Sequence, residues 1–188
     1  MSTGYKIQEK DGAHFLTFQI VSWVDLFTRK DYRDEVIDSF KYCQKEKGLN
    51  LFAYVIMSNH IHLLAQSEVV DLSGFIRDFK NYTSKRFLEI IDGGKESRSE
   101  WMLNRFNYNA NRHSRNESYQ FWTHENHAVI LYSNNFIAEK LDYLHNNPVR
   151  AGLVDKPEDY RYSSARSYAD MSGLLEIVFL DLPWKTYR

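Results

Sequence analysis

Apolar and polar residues alternate near the start of the chain, and the pattern then changes to a helical spacing. The alternation covers residues 14–24, which are rich in aromatic and β-branched side chains, and it predicts a first β-strand. Apolar residues then recur every three or four positions over residues 30–47, up to Gly48. That spacing predicts a helix, and glycine is the residue that most often follows the end of one. The chain therefore begins with a strand followed by a helix.

A hairpin and a second helix come next. Residues 51–57 and 60–66 predict two strands that turn back on each other at Ser58-Asn59. Residues 71–91 carry apolar side chains at helical spacing, and Asp71 is a favourable residue to cap the start of a helix. The two strands and the helix therefore form one continuous block of regular structure.

A fourth strand, predicted over residues 121–131, completes a recognisable order of elements. The order strand, helix, strand, strand, helix, strand is typical of the α+β ferredoxin-like fold, also called a split βαβ fold. In that fold an antiparallel sheet carries two helices on one face. The other face is free to hold a site or a further element.

The remaining segments add one helix, one loop and a tail. Apolar residues at helical spacing follow Ser133, and we expect this helix to end where Pro148 forbids its continuation and to lie on the open face of the sheet. Residues 93–118 are polar and irregular, which predicts a functional or mobile loop. Residues 157–188 form a C-terminal extension of a single domain that covers residues 1–188.

Composition indicates a protein of the reducing cytoplasm. The chain has 188 residues, enough for one domain with a substantial core, and its single cysteine, Cys43, excludes an internal disulfide framework. No apolar run is long enough to span a bilayer. We therefore expect a cytoplasmic protein with no membrane partner.

Charge is balanced overall but unevenly distributed. The net charge is −1, which is unusual for a DNA-binding protein, because non-specific affinity comes mainly from neutralising phosphates. Any DNA-binding surface should therefore be a local patch, although a solvated helix face is the alternative for each charge. In the tail, tyrosines at positions 160, 162 and 168 alternate with arginines, which suits stacked bases beside phosphates, while packing of the last part back on the domain is the alternative. The candidate DNA-binding residues are Lys80, Lys85, Arg86, Arg112, Arg150, Arg161 and Arg166.

Two histidines provide the candidate chemistry. His60 and His62 lie two positions apart on a predicted strand, so both imidazoles project from the same face. Such a pair is either half of a metal site or part of an exposed sheet surface. Tyr143 and Asn147 are four residues apart on the predicted last helix, so they lie on one face of it.

Three runs of sequence resemble one known family over nearly the whole chain. They are SNHIHLL from residue 58, DYLHNNPVRAGLV from residue 142 and PEDYRYSSA from residue 157. The chain resembles the HUH single-tyrosine transposases of the insertion-sequence-200 type, and above all the REP-associated tyrosine transposases. HUH alone is weakly specific, whereas HUH followed by Tyr-x-x-x-Asn before Pro-Val-x-Ala-Gly is a strong signature.

The resemblance implies a site and a reaction. His60, His62 and Asn147 would hold a divalent cation, Mg²⁺ or Mn²⁺, and Tyr143 would be the nucleophile. The substrate would be single-stranded DNA near a folded hairpin, cut and rejoined through a 5′-phosphotyrosine, with no nucleotide cofactor. In several relatives the tyrosine helix is exchanged between two subunits, so the sequence leaves a monomer and a homodimer open. Many relatives also have proline where this chain has Ser58, which removes no ligand.

Other residues of the chain allow competing interpretations. Tyr82 lies beside basic residues and is a rival nucleophile, but it has no amide one turn away. Surface or supporting roles are expected for the remaining polar candidates His124, Glu125, His127 and His145. A non-catalytic single-strand-binding module would need no Tyr-x-x-x-Asn spacing. A small-molecule metal hydrolase would need no tyrosine.

Overall fold

Across residues 12–68, 71–112 and 118–180, which the computed structural model describes, four strands form one antiparallel sheet. The strands are β1 (His14–Gln19), β2 (Leu49–Ile56), β3 (His60–Ser67) and β4 (Val129–Ile130). Their order across the sheet is β2-β3-β1-β4. This is the predicted ferredoxin-like order, so the fold class is confirmed.

Helices cover both faces of the sheet. Two long helices pack on one face, and the tyrosine-bearing helix packs on the other, as predicted. None of the helices in the described ranges is long and apolar enough to cross a membrane. The helices are α1 (Lys30–Lys47), α2 (Leu72–Ile90), α3 (Ser99–Ala110), α4 (Asn134–His145), α5 (Asn147–Arg150) and α6 (Ala165–Tyr168).

The helix ends follow the local sequence signals. Gly48 ends α1 in the left-handed conformation, with φ of 64°, which costs glycine little. The Asp71 carboxylate accepts a hydrogen bond of 2.6 Å from the Gly74 amide at the start of α2. The Ser133 hydroxyl accepts one of 3.3 Å from the Phe136 amide at the start of α4. Each contact satisfies an amide that the first turn of a helix leaves without an intrahelical partner.

Strand β1 divides its side chains between two cores. Leu16 and Phe18 are fully buried in the core beneath α1 and α2. Phe15 belongs to a second core beneath α4, together with Leu141 and Leu144 of that helix. Burying a leucine side chain stabilises a fold by about 1.5–3 kcal/mol. The leucines of α4 therefore hold the helix firmly against the sheet.

The prediction of an irregular loop over residues 93–118 was wrong. Residues 99–110 form α3, whose buried side chains Met102, Phe106 and Ala110 are four residues apart and line one face. The Phe106 ring lies 4.3 Å from the Phe121 ring, centroid to centroid. Three apolar residues in a polar stretch are a weak signal of a helix in the sequence. Their packing against the core makes the helix evident. Residues 113–117 lie outside the described part of the chain.

Two predicted strands are shorter than expected. β1 ends at Gln19 rather than at residue 24, because Ser22 and Trp23 adopt left-handed backbone conformations. β4 contains only Val129 and Ile130, although Trp122 forms an isolated bridge with Ile20. A polar stretch that ends at left-handed His127 interrupts the strand between these points.

The predicted end of the tyrosine helix was also wrong. α4 ends at His145, two residues before Asn147, and Pro148 lies within the short helix α5. Proline is tolerated there because the first turn of a helix does not use its amide hydrogen. Asn146 between the two helices keeps right-handed helical backbone angles. Asn147 therefore starts a new turn almost in line with α4.

The tail closes the edge of the sheet rather than offering its tyrosines to bases. The Tyr160 hydroxyl donates to the Ile56 carbonyl at 2.8 Å, and the Tyr168 hydroxyl donates to the Phe52 carbonyl at 3.0 Å. Tyr162 is buried. These rings therefore pack on the domain, and the prediction that they stack on bases was wrong. Further along, Leu175 is buried whereas Val178 and Phe179 are exposed, and residues 181–188 lie outside the described part.

A buried histidine makes the fold sensitive to acid. His145 Nε2 lies 2.8 Å from the Ser164 hydroxyl, and burial lowers the pKa of His145 to about 4. The unfolded chain, with an ordinary histidine pKa of about 6.5, binds more protons between these values, so stability falls as the pH drops through them. Lowering the pH from 7 to 5 should cost about 2 kcal/mol through this group. Urea unfolding at both pH values measures the loss.

Two variants test whether this loss of stability comes from His145. His145→Gln should lose about 2 kcal/mol less than the parent between pH 7 and 5. His127→Gln, changed at a half-exposed position, should behave as the parent does. An equal acid loss in His145→Gln and the parent would contradict the assignment.

Candidate active site

His60 and His62 lie side by side on the sheet face that α4 covers. Their ring centroids are 4.7 Å apart. β1 supplies the floor, because Thr17 pairs with His62 in the sheet and the Phe15 ring stacks on the His62 ring at 5.2 Å. His62 is buried and His60 is half-buried. Thus His62 is fixed by packing, whereas His60 lies nearer to solvent.

Hydrogen bonds orient both rings in the same way. His60 Nδ1 lies 2.8 Å from the side-chain oxygen of Asn59, and His62 Nδ1 lies 2.9 Å from the Thr17 hydroxyl. A proton on each Nδ1 satisfies these contacts and leaves the Nε2 lone pair for a ligand. Metal-binding histidines typically have a polar partner on the second nitrogen, as both of these do.

Burial keeps the two imidazoles neutral. It lowers the pKa of His62 to about 3, with smaller contributions from His60 and from the positive charge of Arg150. Burial also lowers the pKa of His60 below its usual value. A metal ligand must be deprotonated, and these rings meet that condition at neutral pH without losing protons.

Tyr143 lies directly above the histidines on α4. Its ring centroid is 5.5 Å from that of His62 and 6.2 Å from that of Phe15. The side chain is 43% exposed, so the phenol remains accessible from solvent. The structure therefore brings Tyr143 to His60 and His62, which lie more than 80 positions earlier in the sequence.

One cation contacts the tyrosine, and a second lies near the Phe15 ring on the same side of the sheet. The Arg150 guanidinium lies 4.5 Å from the centre of the Tyr143 ring, and it also donates a hydrogen bond to the Tyr143 carbonyl. The Lys140 ammonium lies 5.7 Å from the centre of the Phe15 ring. Arg150 was among the predicted residues, whereas Lys140 was not. Its position three residues before Tyr143 on the same helix could have indicated that it lies near the site.

The donor set fits a divalent cation that completes its coordination with oxygen. The described residues contain no cluster of three or more histidine, cysteine, aspartate or glutamate side chains that could hold a metal. Two neutral imidazoles plus amide, water or phosphate oxygens suit a loosely held Mg²⁺ or Mn²⁺. Asn147 is half-buried one turn after Tyr143, and its role as the amide ligand stays a prediction.

The predicted basic residues of α2 lie in the opposite layer. The Lys80 ammonium donates to the Thr123 carbonyl at 2.8 Å and lies over the Phe18 ring, and burial lowers the pKa of Lys80 to about 7. Arg86 is paired with Glu35 at 3.1 Å and with Glu89. Lys85 is exposed, but it is on the same helix. Contact of these residues with DNA stays a prediction, and their position separates them from Tyr143 by the sheet.

The remaining predicted DNA contacts lie at three different places. Arg150 is in the site itself, whereas Arg112 is exposed just after α3. Arg161 is exposed on the tail, and Arg166 donates to the carbonyls of Ser172 and Glu158. Arg166 is thus engaged in holding the tail, while its role toward DNA stays a prediction.

The rival candidates are separated from the histidine pair. Tyr82 is exposed on α2, across the sheet from His60 and His62. Glu125 and His127 lie within 3.7 Å of each other before β4, and both are more than half exposed. His145 is buried against Ser164, which is a supporting position. Tyr143 is therefore the tyrosine whose position suits chemistry at the histidines.

Known proteins are similar to this chain in sequence and in fold. A family model described as "Transposase IS200 like" matches residues 18–145. A protein of Haemophilus influenzae named "Putative REP-associated tyrosine transposase" is 28% identical over 157 residues, which cover 82% of this chain and 80% of that protein. A solved structure of a REP-associated tyrosine transposase bound to a REP hairpin is 17% identical, with a TM-score of 0.60 and full coverage of both chains.

These similarities, together with the fold, define a tyrosine transposase, an enzyme that nicks and rejoins DNA. The chain belongs to the family of IS200-like transposases, since the match covers more than half of its length. The resemblance drawn from the sequence is confirmed. The solved structure, at its low identity, supports the fold alone.

Metal binding can be measured without DNA. A ligand that binds only the folded state stabilises it by about 2.7 kcal/mol at a hundred times its Kd, so Mn²⁺ should raise the melting temperature of the protein. His60→Ala and His62→Ala should each remove the rise, whereas Asn147→Ala should keep part of it because water can replace an amide ligand. Circular dichroism melts at pH 7 and 6 measure the effect, which should persist at pH 6 because the pKa of His62 is low.

His127→Ala is the control, since this histidine lies outside the site. An undiminished Mn²⁺ effect in His62→Ala would exclude the histidine pair as the ligands. An Asn147→Ala variant indistinguishable from the parent across the titration would remove Asn147 from the ligand set.

Proposed function

We propose that this transposase cleaves and rejoins single-stranded DNA at a hairpin-bearing site through a 5′-phosphotyrosine on Tyr143, with a divalent cation held by His60, His62 and Asn147. One observation carries the proposal: the Tyr143 ring lies 5.5 Å from His62 over a pair of neutral imidazoles. The solved structure of a related transposase bound to a REP hairpin supports hairpin DNA as the partner.

The reaction needs charge to be withdrawn from the phosphate. Phosphodiester oxygens are negative and repel an incoming nucleophile. A divalent cation, when bound, withdraws that charge and stabilises the transition state by several kcal/mol. Two neutral imidazoles suit this role because they add no negative charge to offset the charge of the cation.

A covalent bond to tyrosine conserves the energy of the cleaved phosphodiester. Its phenolic oxygen attacks phosphorus, the bond from phosphorus to the 3′ oxygen breaks, and the 3′ oxygen takes up a proton while the phenol loses one. The product is a 5′-phosphotyrosine, and phenolate is a better leaving group than an alkoxide. A DNA 3′-hydroxyl can therefore reverse the step and join a new strand without ATP.

We further propose that one chain supplies the whole site. Leu141 and Leu144 seat α4 on the strands of their own chain, so Tyr143 and the histidines meet within one molecule. A homodimer is then not required for chemistry. Cys43, the only cysteine, is a buried free thiol, which suits the reducing cytoplasm as the compartment.

A covalent adduct tests the nucleophile. Incubating the protein with a single-stranded hairpin oligonucleotide and Mn²⁺ should give a protein–DNA species that survives denaturing electrophoresis. Tyr143→Phe should abolish it because the attacking oxygen is missing, while Tyr82→Phe, altered across the sheet, should form it as the parent does. An adduct in Tyr143→Phe would contradict the assignment.

A mixing experiment tests assembly within one chain. Tyr143→Phe and His62→Ala are each expected to be inactive, and their mixture should stay inactive if the tyrosine and the histidines act within one molecule. Recovery of adduct in the mixture would instead show that the tyrosine helix is exchanged between subunits.

Arg150 is expected to position the tyrosine. Its planar guanidinium stacks on the Tyr143 ring and bonds to the Tyr143 backbone, two contacts that lysine cannot reproduce together. Arg150→Lys and Arg150→Gln should slow single-turnover adduct formation by about 10-fold, consistent with a stacking contact of about 1–2 kcal/mol. Lys156→Gln is the control at an exposed position. Equal rates in parent and Arg150→Lys would mean that charge alone matters.

A further inference from the structure

Helix α3 presents an exposed stripe in which aromatic and arginine side chains alternate. Trp101, Arg105 and Tyr108 fall within about 60° of the helix circumference. Arg112 lies two residues after the end of α3, over the Tyr108 ring, and the four residues together are here called the α3 stripe. Trp101 is 47% exposed and Tyr108 is 58% exposed. Two exposed rings interleaved with two arginines on one surface are more than a single scattered apolar residue.

The opposite face of α3 fixes the direction of the stripe. Met102 and Phe106 are fully buried in the core beneath α1 and α2, and Ala110 is almost fully buried. The helix therefore cannot rotate to hide its outer rings. The stripe is a rigid feature of the fold.

Among the described residues, no carboxylate pairs with the arginines of the stripe. The Arg105 guanidinium lies 6.0 Å from the centre of the Trp101 ring, and that of Arg112 lies 5.7 Å from the centre of the Tyr108 ring. Within the described residues, neither one pairs with an acid, in contrast to Arg86. Glu100, the acid of the first turn of α3, projects about 100° away from Trp101 around the helix.

The stripe is anchored at the end of the sheet where β3 begins with His60. Gln19, the last residue of β1, pairs with His60, and the next few residues lead to Ser22. The Ser22 hydroxyl accepts a hydrogen bond of 2.8 Å from the Asn109 side chain of α3. Trp23, 64% exposed with a left-handed backbone, lies beside that contact. A third exposed ring therefore belongs to the segment that contacts α3 just after β1.

We propose that the α3 stripe, with Trp23, binds the single-stranded DNA that flanks the hairpin and leads it toward the active site. Rings on which bases stack, interleaved with cations for the phosphates, are the chemistry that binds single strands without reading their sequence. Trp101 and Tyr108 are about 10 Å apart along the helix axis, roughly three base steps of 3.4 Å. The inference rests on the proposed function for the location of the reacting phosphate.

The test compares two hairpin oligonucleotides that differ only in a single-stranded flank. Binding is measured by fluorescence anisotropy in a Tyr143→Phe background, so that no covalent capture interferes. The double variant Trp101→Ala/Tyr108→Ala should weaken binding of the flanked hairpin by roughly 30-fold or more, as expected for two lost stacking contacts, and leave the blunt hairpin unchanged. Trp101→Phe/Tyr108→Phe should restore most of the affinity.

Controls separate stacking from loss of fold. Tyr42→Ala removes an exposed ring from α1 and should leave both affinities unchanged. Arg105→Gln/Arg112→Gln should reduce the log–log salt slope for the flanked hairpin by about 1.4, the contribution of two phosphates on a single strand. Thermal melts confirm that each variant is folded.

The outcomes also separate this proposal from the proposed function. Unchanged affinity of the double alanine variant for the flanked hairpin, or an equal loss for the blunt one, would overturn the α3 stripe as a single-strand site. If the parent forms no adduct but its binding still depends on the stripe, the reaction is wrong and the surface stands. If adduct forms normally and binding ignores the stripe, the reaction stands and the surface is wrong.

Discussion

The pairing of β1 with β3 places the two histidines of the active site. Thr17 pairs with His62 and Gln19 pairs with His60 in an antiparallel register. Because side chains alternate between faces, Phe18 is buried beneath the helices while the histidines face α4. A slip of β3 by one residue would turn the imidazoles toward the aromatic core beneath α1 and α2. Burial on both faces of the sheet therefore fixes the register and, with it, the chemistry.

The covering of that face by α4 determines how the histidines behave. The helix buries His62 deeply enough to keep it neutral, yet it leaves Tyr143 partly exposed at the site. A fully open sheet would leave the imidazoles solvated, with ordinary titration. A fully closed one would exclude DNA. Leu141 and Leu144 hold α4 over the site, and Tyr143 at the edge of the helix leaves the site partly open.

The tail and α3, the other additions to the ferredoxin-like core, pack at different parts of the sheet. The tail bonds along β2, so an edge that could pair with other chains is covered. α3 packs where the chain turns after β1, close to the start of β3.

The sequence by itself determined the long elements, their order and the family, since hydrophobic period, caps and the His-x-His and Tyr-x-x-x-Asn spacings are local signals. α1 and the hairpin needed little correction for that reason. Tertiary structure alone decided which cations share a layer with Tyr143: Arg150 and Lys140 do, whereas Lys80 and Arg86 lie across the sheet. It also decided that α3 is a helix and that the tail tyrosines bond to β2 and α1. These outcomes depend on contacts between residues far apart in the chain, where composition and spacing carry no information about which face a side chain will share.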